Sequence, residues 1–248
     1  MANGSPSVAR HGTIERSKQS NSERDRSMSP TVMTQANNIH ASLRWIAVVI
    51  FLCSFPFSLY LPLWVSWENQ IIENAQAVTL ALGAVISLVF GLCSSGKKRI
   101  FWLSVIPIWI IMTARELNWG AVFFDPTSMS EDRPSFASSK LWFHPYRTPV
   151  VLVLLVIFAI GFILSKGPRI IADMLVNLEF PFFDLFGFAL AMLLSTAAEG
   201  HVHLSIDWWS GQHQILEETI ETAAYIFLFA AQFDVWSKFP DNSEIEKL

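Results

Sequence analysis

Six stretches of about 20 mostly apolar residues constrain this chain more than any other feature of its sequence. An α-helix rises about 1.5 Å per residue, so about 20 residues cross the roughly 30 Å hydrocarbon core of a bilayer. In lipid, a helix also satisfies its own backbone polar groups, and the alternation typical of barrel strands is missing here. We therefore predict an all-α, polytopic membrane bundle of six transmembrane helices, at roughly residues 43–65, 74–94, 100–122, 149–165, 184–204 and 216–236.

The overall composition also argues against a water-soluble domain. Of the 248 residues, 52% are hydrophobic and only 15% are charged. Residues 1–42 are different, because they are rich in Ser, Asn and charge and too poor in apolar residues to bury a core. We expect them to form a disordered cytoplasmic tail without a cleavable signal peptide, and residues 239–248 to form a short cytoplasmic tail.

The basic residues predict how the bundle is oriented. With the first tail in the cytoplasm, all but four of the 17 Lys and Arg residues fall on the inner side, and the exceptions are Arg115, Arg133, Lys140 and Arg147. Positively charged segments stay in the cytoplasm, so both termini should be inside, and we expect the inner (plasma) membrane of a bacterium. Residues 168–180 are too polar to cross and are predicted to form an interfacial helix.

In this orientation, the ionisable and amide residues of the predicted helices lie at one depth in the membrane. Arg115 lies about 22 Å from the inner boundary of the hydrocarbon core, counted along its helix. Ionisable residues at such depth usually face the bundle interior and pair with one another or line a wet cavity. The inner half of the bundle has nothing comparable in the sequence. We predict one polar cluster in the outer half, comprising Glu73, Arg115, Glu116, Asn118, His144, Arg147, Glu199, Glu218 and Glu221.

The residue types in this cluster suggest a ligand site with acid–base chemistry. Half-desolvated carboxyl groups are candidates for proton transfer, which we assign to Glu116, Glu199, Glu218 and Glu221. Arginine captures phosphate or carboxylate groups through its planar fork. We assign ligand binding to Arg115, Asn118, Glu73, Arg147 and His144. The predicted ligand is a small polar molecule or a lipid head group at the outer leaflet.

A divalent metal is a less favoured alternative, and no cofactor is predicted. The segment "AEGHVH" contains Glu199, His201 and His203, and imidazole with carboxylate suits zinc or similar ions. Histidines two residues apart, however, lie on opposite sides of a helix and converge only in extended backbone. We therefore expect His144, His201 and His203 not to meet at one metal.

Two alternative functions do not involve a ligand site with acid–base chemistry. The polar residues can act as hydrogen-bonding contacts between helices, in a non-catalytic membrane subunit or assembly factor. A small-solute transporter is the other alternative, although the two halves of the chain show no repeat typical of such proteins. Whether the chain is an enzyme stays open. Its expected partners are membrane lipids rather than nucleic acid.

The topology can be tested with reporter fusions. We expect alkaline phosphatase fused after residue 130 to be active, because that loop should face outward, and the same enzyme fused after residue 97 to be inactive. Phosphatase activity in intact cells measures both fusions. The opposite pattern would contradict the orientation.

Overall fold

The computed structural model describes residues 30–130, 133–199, 213–240 and 245. The contacts divide the chain into a short first unit, Met1–Gln35, and a main unit, Ala36–Leu248. The described chain is mostly helical. Its helices are α1 (Pro30–Tyr60), α2 (Ile71–Leu92), α3 (Gly96–Glu116), α4 (Arg147–Leu164), α5 (Gly167–Val176), α6 (Phe182–Ala198) and α7 (His213–Lys238).

Each of the six predicted apolar segments overlaps a helix, although residues 200–204 of the fifth lie outside the described residues, and α5 overlaps the segment that was predicted to form an interfacial helix. Within the described part of the chain, three helical stretches are long and apolar enough to cross a membrane: Thr34–Tyr60, Leu63–Leu92 and His144–Leu164. Of the other helices, α3 is charged at both ends, α6 has only 17 residues, and α7 has acidic residues near its start. That the chain crosses the membrane six times therefore remains a prediction.

The boundaries differ from the prediction in two places. Helix α1 begins at Pro30, whereas the sequence predicted a disordered tail to residue 42. Ala36 and His40 lie on one face of this helix and are both buried, so tertiary packing holds a segment that looked too polar to fold. The other difference is a short antiparallel ribbon of β1 (Ser128–Ser130) and β2 (Arg133–Ser135), where the sequence predicted no strand.

Helix α7 lies at the centre of the bundle and α4 at its periphery. Most side chains of α7 are buried, whereas no residue of the fully described helix α4 is. Most apolar side chains of α4 are therefore exposed, except on the face that packs against α3, as expected for a surface that faces lipid rather than water. Small residues bring α6 close to α7, with Ala191, Ala198 and Ala224 in one buried cluster.

Aromatic packing fixes α2, α3 and α7 against one another. The rings of Phe90 and Trp236 stack with centroids 4.0 Å apart, and Trp102 packs edge-on to both. Gly83 faces Trp109 so closely that an added Cβ atom would overlap the indole ring. This close approach requires glycine at position 83.

A second charged cluster ties α1, α6 and α7 together, in the half of the bundle that was predicted to be the inner one and to hold nothing comparable, and the expected lack of such a cluster is wrong. Two guanidinium nitrogens of Arg44, Nε and Nη2, each donate a hydrogen bond of 2.8 Å to the carboxylate of Asp184. His40 lies with Nε2 2.8 Å from Asp184 and Nδ1 3.3 Å from Asp234. Lys238 completes the cluster at 2.8 Å from Asp234. The cluster was not predicted from the sequence because its residues come from three distant segments.

We expect Asp184→Asn to lower the free energy of unfolding by about 1.5–3 kcal/mol, because it weakens charge-assisted hydrogen bonds to a fully buried carboxylate. Thermal unfolding of the solubilised protein measures the loss. Asp125→Asn is the matched control, since Asp125 is exposed in the loop after α3. Equal effects of the two substitutions would contradict a stabilising role for the Asp184 cluster.

Candidate ligand-binding pocket

A pocket of about 820 Å³ lies where the start of α2, the end of α3, the end of α6 and the start of α7 meet. Asp234 of the other charged cluster comes 13 residues after Glu221 on α7, or about 20 Å along the helix axis. The pocket and that cluster are therefore separate. The described residues that line the pocket are Leu63, Trp67, Glu68, Glu73, Arg115, Glu116, Asn118, Ala198, Glu199, His213, Gln214, Glu217, Glu218 and Glu221.

Helical spacing explains how α7 supplies several carboxyl groups to one wall. Glu217 and Glu221 are four residues apart and Glu218 and Glu221 three apart, so their side chains share a face. Gln76 of α2 fixes the position of Glu218. Its Nε2 atom donates to the Glu218 carboxylate at 3.0 Å and to the Glu218 backbone carbonyl at 2.8 Å.

The centre of the pocket wall is an arginine held between two glutamates. The Arg115 guanidinium lies 3.1 Å from Glu221 Oε1 and 3.9 Å from Glu116 Oε1. Both carboxyl groups are buried, whereas 62% of the Arg115 side chain is exposed. Arg115 thus neutralises part of the buried negative charge, and its side chain is still accessible to a ligand in the pocket.

Tyr225 lies between the same two carboxyl groups. Its hydroxyl is 2.7 Å from Glu116 Oε1 and 2.5 Å from Glu221 Oε1. A phenol has one hydrogen and donates to one carboxylate at a time, so the second contact requires a proton on the other carboxyl group. These distances are therefore the ones expected if Glu116, Tyr225 and Glu221 share one proton in addition to the phenolic hydrogen of Tyr225.

The loop after α3 is tied to the rim of the pocket. The Phe136 backbone N–H donates to Glu68 Oε2 at 2.6 Å, and the Asn118 amide donates to the Phe136 carbonyl.

The backbone that directly follows α3 is left-handed. Asn118, Trp119 and Gly120 all have positive φ angles, of 44°, 56° and 85°. Left-handed backbone is strained for tryptophan, and such strain is often found beside functional sites.

The structure brings together most of the predicted site residues. Glu73, Arg115, Glu116, Asn118, Glu199, Glu218 and Glu221 all line the pocket. His144 and Arg147 do not, and the Arg147 guanidinium instead lies 5.6 Å from the centre of the Trp119 ring. The amide of Asn118 binds loop backbone, so its contact is with the chain itself. His201 and His203 lie outside the described residues.

Sequence reasoning missed several residues of the site. Tyr225 follows Glu221 by four residues, so helical spacing alone could have placed both on one face. The level of Gln76 along α2 could be counted from the sequence, but its contact with Glu218 could not, and neither could that of Glu68 with Phe136, because these partners are distant along the chain. Only the packing of the helices brings these groups together.

A possible metal group lies in the other charged cluster rather than in the pocket. One ligand atom from each of His40, Asp184 and Asp234 lies within 4.8 Å of the other two. Imidazole and carboxylate can bind a divalent ion. Arg44 and Lys238 already contact these carboxylates at 2.8 Å, so a metal would have to displace two cations.

We expect Tyr225→Phe to lower the free energy of unfolding by about 1–3 kcal/mol, because two buried carboxyl groups lose the hydroxyl that bridges them. Denaturant or thermal unfolding of the solubilised protein measures this. Tyr60→Phe is the control, since Tyr60 is exposed at the end of α1. A Tyr225→Phe protein as stable as the control would contradict the proton-sharing arrangement.

Comparison with known proteins adds no assignment. No protein-family model, no curated protein and no solved structure matches this chain. The chemistry of the pocket therefore has to be inferred from its own residues, which are carboxyl-rich and contain one guanidinium among the described lining groups.

Proposed function

We propose that this chain is a six-span membrane protein with both termini in the cytoplasm, and that its pocket binds a small polar ligand or lipid head group. The proposed ligand carries a protonated amine together with an anionic group. Carboxylates of the pocket bind the amine, and Arg115 binds the anionic group. A phosphate bearing an amine, as in zwitterionic head groups, has this chemistry.

The charge of the pocket is the observation that carries the proposal. Seven glutamates line it, namely Glu68, Glu73, Glu116, Glu199, Glu217, Glu218 and Glu221. Among the described lining residues, the only basic side chains are Arg115 and His213. Such an excess of carboxyl groups favours a cationic ligand group. The exposed part of Arg115 gives the same ligand a place for a phosphate or carboxylate.

The pocket also has a group suited to proton transfer. Glu116, Tyr225 and Glu221, which are spaced to share a proton, lie beside Arg115, where the anionic part of the ligand would bind. A carboxyl group in this position can give a proton to a ligand oxygen or take one from it. Acid–base catalysis on the bound ligand is therefore the form of enzyme activity that we propose, with Glu116 and Glu221 as the reacting groups.

A second candidate function is a non-catalytic membrane subunit. The ion pair between Arg115 and Glu221 connects α3 to α7, and Gln76 connects α2 to Glu218 of α7. Contacts of this kind hold helices together whether or not a ligand binds. The volume of about 820 Å³ favours the ligand site, because contacts that serve only packing do not require a cavity.

Calorimetric titration of the solubilised full-length protein with phosphoethanolamine tests the proposal. We expect Glu218→Gln to weaken binding about tenfold, because one charge-assisted interaction with the amine is lost. Ethanolamine alone and inorganic phosphate alone should each bind more weakly than the combined molecule, since each lacks one of the two charges.

Asp125→Asn is the matched control, because it removes an exposed carboxylate outside the pocket. Thermal unfolding of each variant separates the two functions. Weaker binding with unchanged stability supports the ligand site, whereas lower stability with unchanged affinity supports the structural subunit. Phosphate binding as tightly as phosphoethanolamine would contradict the role of the carboxylates.

A further inference from the structure

Two buried carboxyl groups in the carboxyl-rich pocket between α2, α3, α6 and α7 share one guanidinium. The side chains of Glu116 and Glu221 are 8% and 9% exposed, and Arg115 is the basic side chain that contacts both. The Oε1 atoms of both also contact the Tyr225 hydroxyl. Two ionised carboxylates beside one cation leave a buried negative charge without a counter-charge, which is strongly destabilising. One of the two is therefore expected to carry a proton, and the hydrogen bonds indicate which one.

The contacts of Glu221 are those of an ionised carboxylate. Its Oε1 atom lies 3.1 Å from Arg115 Nη2 and 2.5 Å from the Tyr225 hydroxyl. A guanidinium nitrogen donates and never accepts, so this oxygen accepts from Arg115. A hydroxyl that donates to an ionised carboxylate lies about 2.5–2.7 Å from it, which agrees with the Tyr225 distance. Because two donors point at one oxygen of Glu221, this carboxyl group is the one that carries the negative charge.

The contacts of Glu116 are those of a neutral acid. Arg115 Nε lies 3.9 Å from Glu116 Oε1, which is too far for a hydrogen bond. The same oxygen lies 2.7 Å from the Tyr225 hydroxyl, whose single hydrogen is directed at Glu221. A phenol oxygen also accepts, so this contact forms when Glu116 donates its own hydrogen to Tyr225. Glu73 lines the same pocket, and its negative charge disfavours ionised Glu116 further.

We propose that Glu116 is a neutral carboxylic acid at neutral pH and the proton donor of the pocket, with Glu221 ionised and Tyr225 as the residue that positions the hydrogen. Only the acceptor of the proton, an oxygen of the anionic group that Arg115 binds, rests on the function proposed above. The Glu116 O–H bond breaks with its electron pair left on the Glu116 oxygen, and an O–H bond forms on a lone pair of the ligand oxygen. The Tyr225 hydrogen then turns to the new Glu116 carboxylate, while Arg115 stays on Glu221.

Glutamine at each position tests the assignment without any ligand. A glutamine amide has N–H donors and no charge, so it resembles a protonated glutamate and not an ionised one. We expect Glu116→Gln to keep the midpoint of thermal unfolding of the solubilised full-length protein. Glu221→Gln should lower this midpoint by several degrees, because Arg115 then faces an uncharged group.

Asp125→Asn is the matched control, since Asp125 is exposed outside the pocket. A midpoint of Glu116→Gln clearly below that of this control would overturn the proposal, and it can be measured even if Glu221→Gln does not fold. Equal losses in the two glutamine variants would overturn it as well.

Infrared spectroscopy of the same protein at neutral pH detects the proton itself. A protonated carboxyl group has a C=O stretching band separate from those of carboxylates and backbone amides. We expect Glu116→Gln to remove such a band and Tyr225→Phe to shift it, because the Glu116 hydrogen loses its acceptor, whereas Asp125→Asn keeps it. An unchanged band in Glu116→Gln would overturn the proposal. A protein that loses this band in Glu116→Gln but fails to bind phosphoethanolamine would contradict the proposed function and support the proton assignment.

Discussion

The requirement that buried charges on α7 have partners organises this protein. Helix α7 is the most buried part of the bundle, and it carries Glu221 near its start and Asp234 near its end. A buried carboxylate without a counter-charge costs several kcal/mol, so each must meet a cation or a hydrogen-bond donor. Arg115 of α3 meets Glu221, while His40 of α1 and Lys238 meet Asp234. These contacts fix how α1 and α3 lie against α7.

The two ends of α7 satisfy this requirement differently. At Asp234, the ion pairs with His40 and Lys238 and the Arg44–Asp184 fork form a compact network with cations close to each carboxylate. At Glu221, one exposed arginine faces a pocket lined by seven glutamates. The first arrangement is typical of a structural contact between helices. Among its described lining residues, the second has more carboxyl groups than basic side chains, and this composition is what supports the proposed ligand.

Sequence reasoning reached the carboxyl-rich pocket because depth along a helix can be counted. Glu73, Arg115, Glu116, Glu199, Glu218 and Glu221 were predicted to lie at one level, and all of them line the pocket. His144 and Arg147 were assigned to the cluster because their segment was predicted to meet the membrane from outside, but neither lines the pocket, since level alone does not say on which side of the bundle a segment packs. The His40 cluster was missed because His40 stands in a polar segment whose burial depends on contacts with α6 and α7.

The sequence by itself determined the helical class, the approximate positions of the helices and the level of the polar residues along them. These follow from local properties, namely runs of apolar residues and a fixed rise per residue. Only the tertiary structure decided which side chains meet. The Tyr225 hydroxyl between Glu116 and Glu221, and the contacts of Asp184 with His40 and Arg44, depend on how the helices rotate and pack. That rotation is set by many weak contacts between distant segments, and local sequence does not encode it.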